Sequence, residues 1–283
     1  MIQGAILSDP SHPAMQRTRG DSRLSVAVQA GRTQMRDLYQ SGAARILLPH
    51  SPARLEAVFL NTSGGLTSGD RIGFALQVGA GASVTGTTQT AERAYLATMG
   101  PATMTVAIDA GERADVDWLP QETILFQGAD LTRTTRVDLG DGACCLMLET
   151  VVLGRLAMKE TVTQARLTDR RAVYSRGRPL HVEALALTPE TLRESHAPAV
   201  LGGALAFATL ALCGPAAQTA TDALRAIDAP PGVTAAASGW NGRALLRAAA
   251  ADPWPLRLYL GRVIARLTGR PVPRVWQLQD FAQ

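Results

Sequence analysis

The run Arg23-Leu-Ser-Val-Ala-Val-Gln29 sets the character of the chain: Leu24, Val26 and Val28 alternate with Ser25, Ala27 and Gln29. A period of two puts one face of a β-strand into a core and leaves the other wet. Working outward, short runs of the same kind recur at 45–48, 55–60, 72–78, 103–108, 115–119, 123–126, 132–139, 144–152 and 180–187. Gly, Pro or Asp punctuates them at intervals near ten residues. Many short strands with regular turn signals predict a mainly β body. No strand–helix–strand alternation is visible, which disfavours Rossmann and TIM architectures. The apolar stretch 197–213 is short for a membrane span of roughly 20 residues. Composition permits strand or helix there, and strand is the expectation.

Helical signals come late. Residues 219–227 can form a short helix. Leu256, Leu260, Val263 and Leu267 make one apolar stripe, and a helix is predicted over about 255–268. Pro253 and Pro255 suit its start, and Gly269 with Pro271 its end. Residues 1–22 carry Pro10, Pro13 and Gly20 and read as a polar arm ahead of a single domain over 23–283.

Of the 283 residues, 46% are hydrophobic and 18% charged, the balance of a folded domain rather than a disordered chain. The net charge is +4, with basic residues scattered and aromatics only 5%. Nucleic-acid binders concentrate charge and interleave aromatics, so that class is disfavoured. The opening Met1 to Pro10 lacks a basic region followed by an apolar core, so no secretory signal is expected. Four His and three Cys are the whole stock of soft ligands. That scarcity excludes zinc fingers, iron–sulfur clusters and a disulfide scaffold. Cys144, Cys145 and Cys213 fit a reducing cytoplasm.

Four segments carry possible chemistry. Asn61-Thr-Ser-Gly-Gly-Leu-Thr-Ser-Gly-Asp-Arg71 packs three glycines and four hydroxyls between strands. It could aim N–H groups at an anion. The plainer reading is a tight connection capped by the Asp70 carboxylate. Thr87-Thr-Gln-Thr-Ala-Glu-Arg-Ala-Tyr95 suggests a strand or bulge facing something wet. In Trp118-Leu-Pro-Gln-Glu-Thr-Ile-Leu-Phe126, Pro120 ends a strand and leaves Gln121 and Glu122 at a corner. Glu149 stands in the otherwise apolar run 145–153. A carboxylate there must be paired, protonated or facing a polar channel. His181 alternates with Val182, can sit with Glu183 across a strand, and reads as part of a solvated face. Adjacent Cys144 and Cys145 point to opposite faces of a strand. No base accompanies them, so a hydrolase using Cys145 or His181 is disfavoured.

Together these segments resemble the urease accessory protein UreD family, called UreH in some bacteria. The matching pieces are Gly64-Gly65…Gly69-Asp70-Arg71, Thr88-Gln89-x-Ala91…Tyr95, Trp118-Leu-Pro-Gln-Glu-Thr-Ile124…Phe126, Gly154-Arg155 and the ending Pro271-Val-Pro-Arg-Val-Trp276. They occur in the family's order from Arg23 to Trp276. Ala91-Glu92-Arg93 and the spacing of Lys159-Glu160 depart from the commoner pattern. The resemblance implies a β-helix-like superhelical stack with a small helical part near the C-terminus. It implies a cytoplasmic, non-enzymatic chaperone that binds UreF, reaches UreG through UreF, contacts apo-urease, and helps to insert nickel. It also implies an internal tunnel for nickel in transit, with no stably bound cofactor.

A conduit needs easy entry and weak, repeated binding. Carboxylates, hydroxyls and carbonyls supply that better than imidazole or thiolate. Asp70, Glu122, Glu149 and Glu92 are therefore the expected carboxylates of a polar path. The alternative is a pure docking scaffold that remodels urease and conducts nothing.

Overall fold

The computed structural model describes residues 17–51 and 54–277. Three strands open it: β1 (Arg19–Gln29), β2 (Arg32–Gly42) and β3 (Ala44–Leu47). β1 begins before the expected Arg23, because polar Gly20 to Ser22 pair in parallel with a later strand. The rest of the expected arm, residues 1–16, lies outside the described residues.

The chain then coils. It passes through β4 (Leu55–Asn61), β5 (Arg71–Val78), β6 (Ser83–Thr88), β7 (Glu92–Ala94), β8 (Ala102–Ala110), β9 (Asp115–Leu119) and β10 (Thr123–Leu125). It continues through β11 (Asp130–Leu139), β12 (Cys144–Leu153) and β13 (Arg166–Ser175). Successive long strands cross between two sheets, so each sheet stacks in parallel, rung on rung. One sheet runs β13-β11-β8-β5-β1, and the other β12-β9-β6-β4. The result is a β-solenoid of about four turns, as the resemblance implied. Short β7 and β10 pair in parallel beside β12.

One flank of the coil is made of near-identical turns: Gly79-Ala-Gly-Ala82, Gly111-Glu-Arg-Ala114 and Gly140-Asp-Gly-Ala143. Each hydrogen-bonds to its neighbour. Gly79 N donates to Val26 O (2.8 Å), Gly111 N to Val78 O (2.7 Å) and Gly140 N to Ala110 O (2.7 Å). The third position of each turn is left-handed: Gly81 (φ +66°), Arg113 (φ +52°) and Gly142 (φ +69°).

After the coil the chain turns antiparallel through β14 (Arg178–Leu187), α1 (Pro189–Arg193), β15 (Ala206–Cys213), α2 (Ala217–Arg225), β16 (Val233–Trp240), β17 (Arg243–Ala250) and α3 (Pro253–Thr268). β15 realises only the second half of the expected strand over 197–213. The first half, with Pro198, Gly202 and Gly203, forms turns. A core of aliphatic residues fills the space between the sheets, with Phe59 against Phe74 (5.2 Å) and Trp118 (5.3 Å). A second core lies where α2 and α3 cover the outer face of β12, β15 and β17. α3 is capped by Asp252, whose side chain accepts from Trp254 N, and ends at left-handed Gly269. It buries Leu256, Tyr259, Leu260, Val263 and Ile264. Among the described residues, no helix is long and apolar enough to cross a membrane.

Candidate functional site

The longer connections share the opposite flank of the coil, and the loop motifs stack there. A Cβ on Gly65 would fall 2.3 Å from the Tyr95 ring, so that position needs glycine. The Tyr95 hydroxyl donates to Gly64 O at 3.3 Å. Tyr95 meets Phe126 edge-on at 5.1 Å. The Arg155 guanidinium covers Phe126 at 4.9 Å and is held by Glu160 at 2.9 Å. Four motifs distant in sequence thus form one column.

Asp70 sits at the foot of the first loop and is buried. Its Oδ1 accepts from Thr18 N (2.7 Å) and its Oδ2 from Thr67 N (2.8 Å). This is the turn-capping arrangement the spacing suggested, with both oxygens engaged by backbone. Glu122 occupies the expected corner after Pro120, where its carboxylate receives Arg257 Nη1 at 2.7 Å. Arg257 also stacks on Trp276 at 4.6 Å. Gln121 Nε2 donates to Val275 O at 3.0 Å, and Trp276 Nε1 to Leu119 O at 3.0 Å. The Pro-Gln-Glu corner and the C-terminal motif are therefore one joint between solenoid and helix.

Glu92 and Glu149 go elsewhere. Both line a small cavity of about 10 Å³ between the sheets, with Thr88, Trp118, Thr123 and Arg133. Glu92 also borders a crevice of about 40 Å³ lined by Asn61, Gly64, Gln89 and Arg93. Burial pushes the Glu92 carboxyl up to about 7, against the hydrogen bond from Asn61. Asn61 Nδ2 lies 3.2 Å from both carboxylate oxygens. Glu149 is fully enclosed. Burial pushes its carboxyl up, against the pull of Arg133 at 2.6 Å.

From Arg133 a polar seam continues between the sheets. Its guanidinium bonds Asp169 through Nε (3.1 Å) and Nη2 (2.7 Å), and Thr123 Oγ1 through Nη1 (2.9 Å). Burial works against the charge on Arg133, but Glu149 and Asp169 outweigh it and hold the pKa above its ordinary value. Arg171 stands 3.4 Å from Asp169 and 3.6 Å from Glu183. Glu183 Oε1 accepts from Arg247 Nη2 (3.2 Å) and Thr209 Oγ1 (3.3 Å). Burial pushes the Glu183 carboxyl up, yet His181, Arg171 and Arg247 together hold it at about 2. The seam ends at an open cavity of about 750 Å³, lined by Arg171, Glu183, Thr209 and Arg247 among apolar residues.

The structure therefore brings Glu92 and Glu149 together and places Asp70 and Glu122 at structural joints outside that cavity. It also corrects His181. With 4% exposure, it points inward alongside Glu183, while Val182 takes the solvated face at 48%. Sequence reasoning missed Arg133, Asp169 and Arg171. The signal available was parity: Arg133 shares the inward register of Leu131, Val137 and Leu139, and Asp169 that of Leu167 and Val173. Cys144 and Cys145 do point to opposite faces. Cys145 and Cys213 are direct cross-strand partners in the core, and burial pushes the Cys213 thiol up to about 12. Among the described residues, no three His, Cys, Asp or Glu side chains form a group able to hold a metal ion.

A family model described as UreD urease accessory protein matches residues 18–277. A urease accessory protein UreD from Cereibacter sphaeroides is 48% identical over 269 residues, covering 95% of this chain and 98% of the relative. One from Paracoccus denitrificans is 47% identical over 283 residues, covering 98% and 100%. A third, from Rhizobium leguminosarum, is 44% identical over 265 residues, covering 93% and 96%. With the solenoid and the ordered motif column beside these matches, the chain belongs to the UreD family of urease accessory proteins.

Proposed function

We propose that this chain works in the cytoplasm in a complex with UreF and, through UreF, with UreG, and that it delivers nickel to apo-urease along the polar seam. Nickel is cargo here and not a resident cofactor. The observation that carries the reading is the shared cavity of Glu92 and Glu149. A carboxylate that titrates near neutral pH can take up a dication and release it, exchanging proton for metal. The Glu92 crevice is the entry. Arg133, bridged to Glu149 and Asp169, closes the way beyond it, so passage requires that guanidinium to swing aside. Asp70 and Glu122 support the path by fixing its loop and its helical cover.

This role places no catalysis in the chain. Burial pushes the Cys145 thiol well up, the opposite of what a nucleophile needs. The docking-scaffold reading predicts that the interior carboxylates are dispensable. Co-purifying Glu92→Gln and Glu149→Gln with UreF and UreG, then assaying urease activation, separates the two. Delivery along the seam predicts an intact complex with activation reduced about tenfold, as expected for losing roughly 1.4 kcal/mol of charge interaction. Full activation by both variants would overturn it.

A further inference from the structure

The motif column also forms part of the surface. Around Tyr95 and Phe126 lie large apolar side chains left in water: Leu96 at 59% exposure, Met99 at 64%, Leu156 at 49% and Met158 at 68%. Leu96 and Met99 follow Tyr95, Leu156 and Met158 follow Arg155, and the rung of Phe126 lies between the two pairs. Leu96 stands over Gly128, where an added Cβ would meet its Cδ1 at 2.3 Å, and it bridges to Ala129. Leu156 and Met158 follow Arg155, which caps Phe126. The backbone beneath is fixed: Thr98 N and Met99 N donate to Ser68 Oγ (2.7 and 3.0 Å), and Thr67 Oγ1 donates to Leu96 O (2.6 Å). A rigid scaffold holding Met and Leu in water marks a contact surface.

The charge without an ion-pair partner at this patch is basic. Arg155 is neutralised by Glu160, but exposed Arg93 and Lys159 have no ion-pair partner among the described residues. Arg93 lies between the patch and the Glu92 crevice, whose lining it shares. We propose that this flank docks a partner protein through a segment that presents an acidic side chain flanked by apolar ones. The apolar residues cover Leu96, Met99 and Met158. The acid meets Arg93 or Lys159. The placement rests on the delivery reading only in its consequence: a partner seated here covers the mouth of the Glu92 crevice.

The test uses the full chain co-expressed with UreF and, separately, with apo-urease, without nickel. Met99→Asp/Met158→Asp and Arg93→Glu/Lys159→Glu are compared with Val28→Asp, an exposed apolar position away from this flank. All substituted side chains are exposed, so melting temperatures should stay at the wild-type value. The proposal predicts that dissociation of one of the two partners weakens about tenfold or more in both flank variants and not in Val28→Asp. Raising salt should weaken wild-type binding, and the Arg93→Glu/Lys159→Glu variant should lose that dependence. Wild-type affinity for both partners in both flank variants overturns the proposal. Because assembly is measured without metal, its failure leaves the delivery test on Glu92 untouched.

Discussion

Glu92 changes charge near neutral pH, and that has a signed consequence for stability. Its carboxyl is raised from 4.5 to about 7 in the folded chain. The folded state therefore holds the proton longer than the unfolded state. The group's contribution is fully favourable below about pH 4.5 and is lost as pH rises towards 7. Glu92→Gln should flatten this decline. Above pH 7 it should be more stable than wild type, by on the order of 3 kcal/mol at most. Urea unfolding at pH 5 and pH 8 reads it, and an equal pH response in both proteins would refute the assignment. Arg113 offers a second test. It holds the left-handed turn position that glycine fills at Gly81 and Gly142. Arg113→Gly should stabilise the chain by about 1 kcal/mol by removing that strain. At this scale Glu149 was legible, because a carboxylate in an apolar run stands out. Its partner Arg133 was not, because Thr132-Arg-Thr-Thr-Arg136 reads as a solvated strand until the inward register is known.

At the scale of elements, α3 followed its caps and stripe closely, since helix signals are local. The structure adds that Tyr259 and Ile264 widen the buried face. β2, β6, β13, β16 and β17 were missed, and β2, β13 and β16 show different reasons. β2 is exposed along most of its length, β13 is broken by Asp169-Arg170-Arg171, and β16 is Ala-rich with little apolar contrast. The joint between corner and helix was legible only as two separate motifs. Trp276→Ala should cost about 3–5 kcal/mol, because the ring is buried and its N–H holds Leu119 O. Thermal unfolding with loss of the α3 helical signal checks it. Removing residues 256–276 therefore disrupts the second core and cannot isolate a docking role for that segment.

For the whole molecule, the solenoid was legible through the family motifs and not through any repeat of the strands. The repeat is present in the three turns beginning at Gly79, Gly111 and Gly140, but each rung tolerates so much side-chain variation that only the turns repeat. Stacking buries charge in one line through the molecule, from Glu149 through Arg133, Asp169 and Arg171 to Glu183. Breaking that line from one side leaves uncompensated carboxylates. Arg133→Met should therefore destabilise the fold by about 3–5 kcal/mol, measured by denaturant titration. A neutral effect would mean that the Arg133 bridges to Glu149 and Asp169 add nothing net to stability. The central claim is that nickel reaches urease along the Glu92 side of this seam. The most direct measurement is nickel bound per urease active site over time, with complexes carrying wild type, Glu92→Gln or Glu149→Gln at equal yield. The account predicts loading about tenfold slower in both variants; loading at the wild-type rate in both would contradict it.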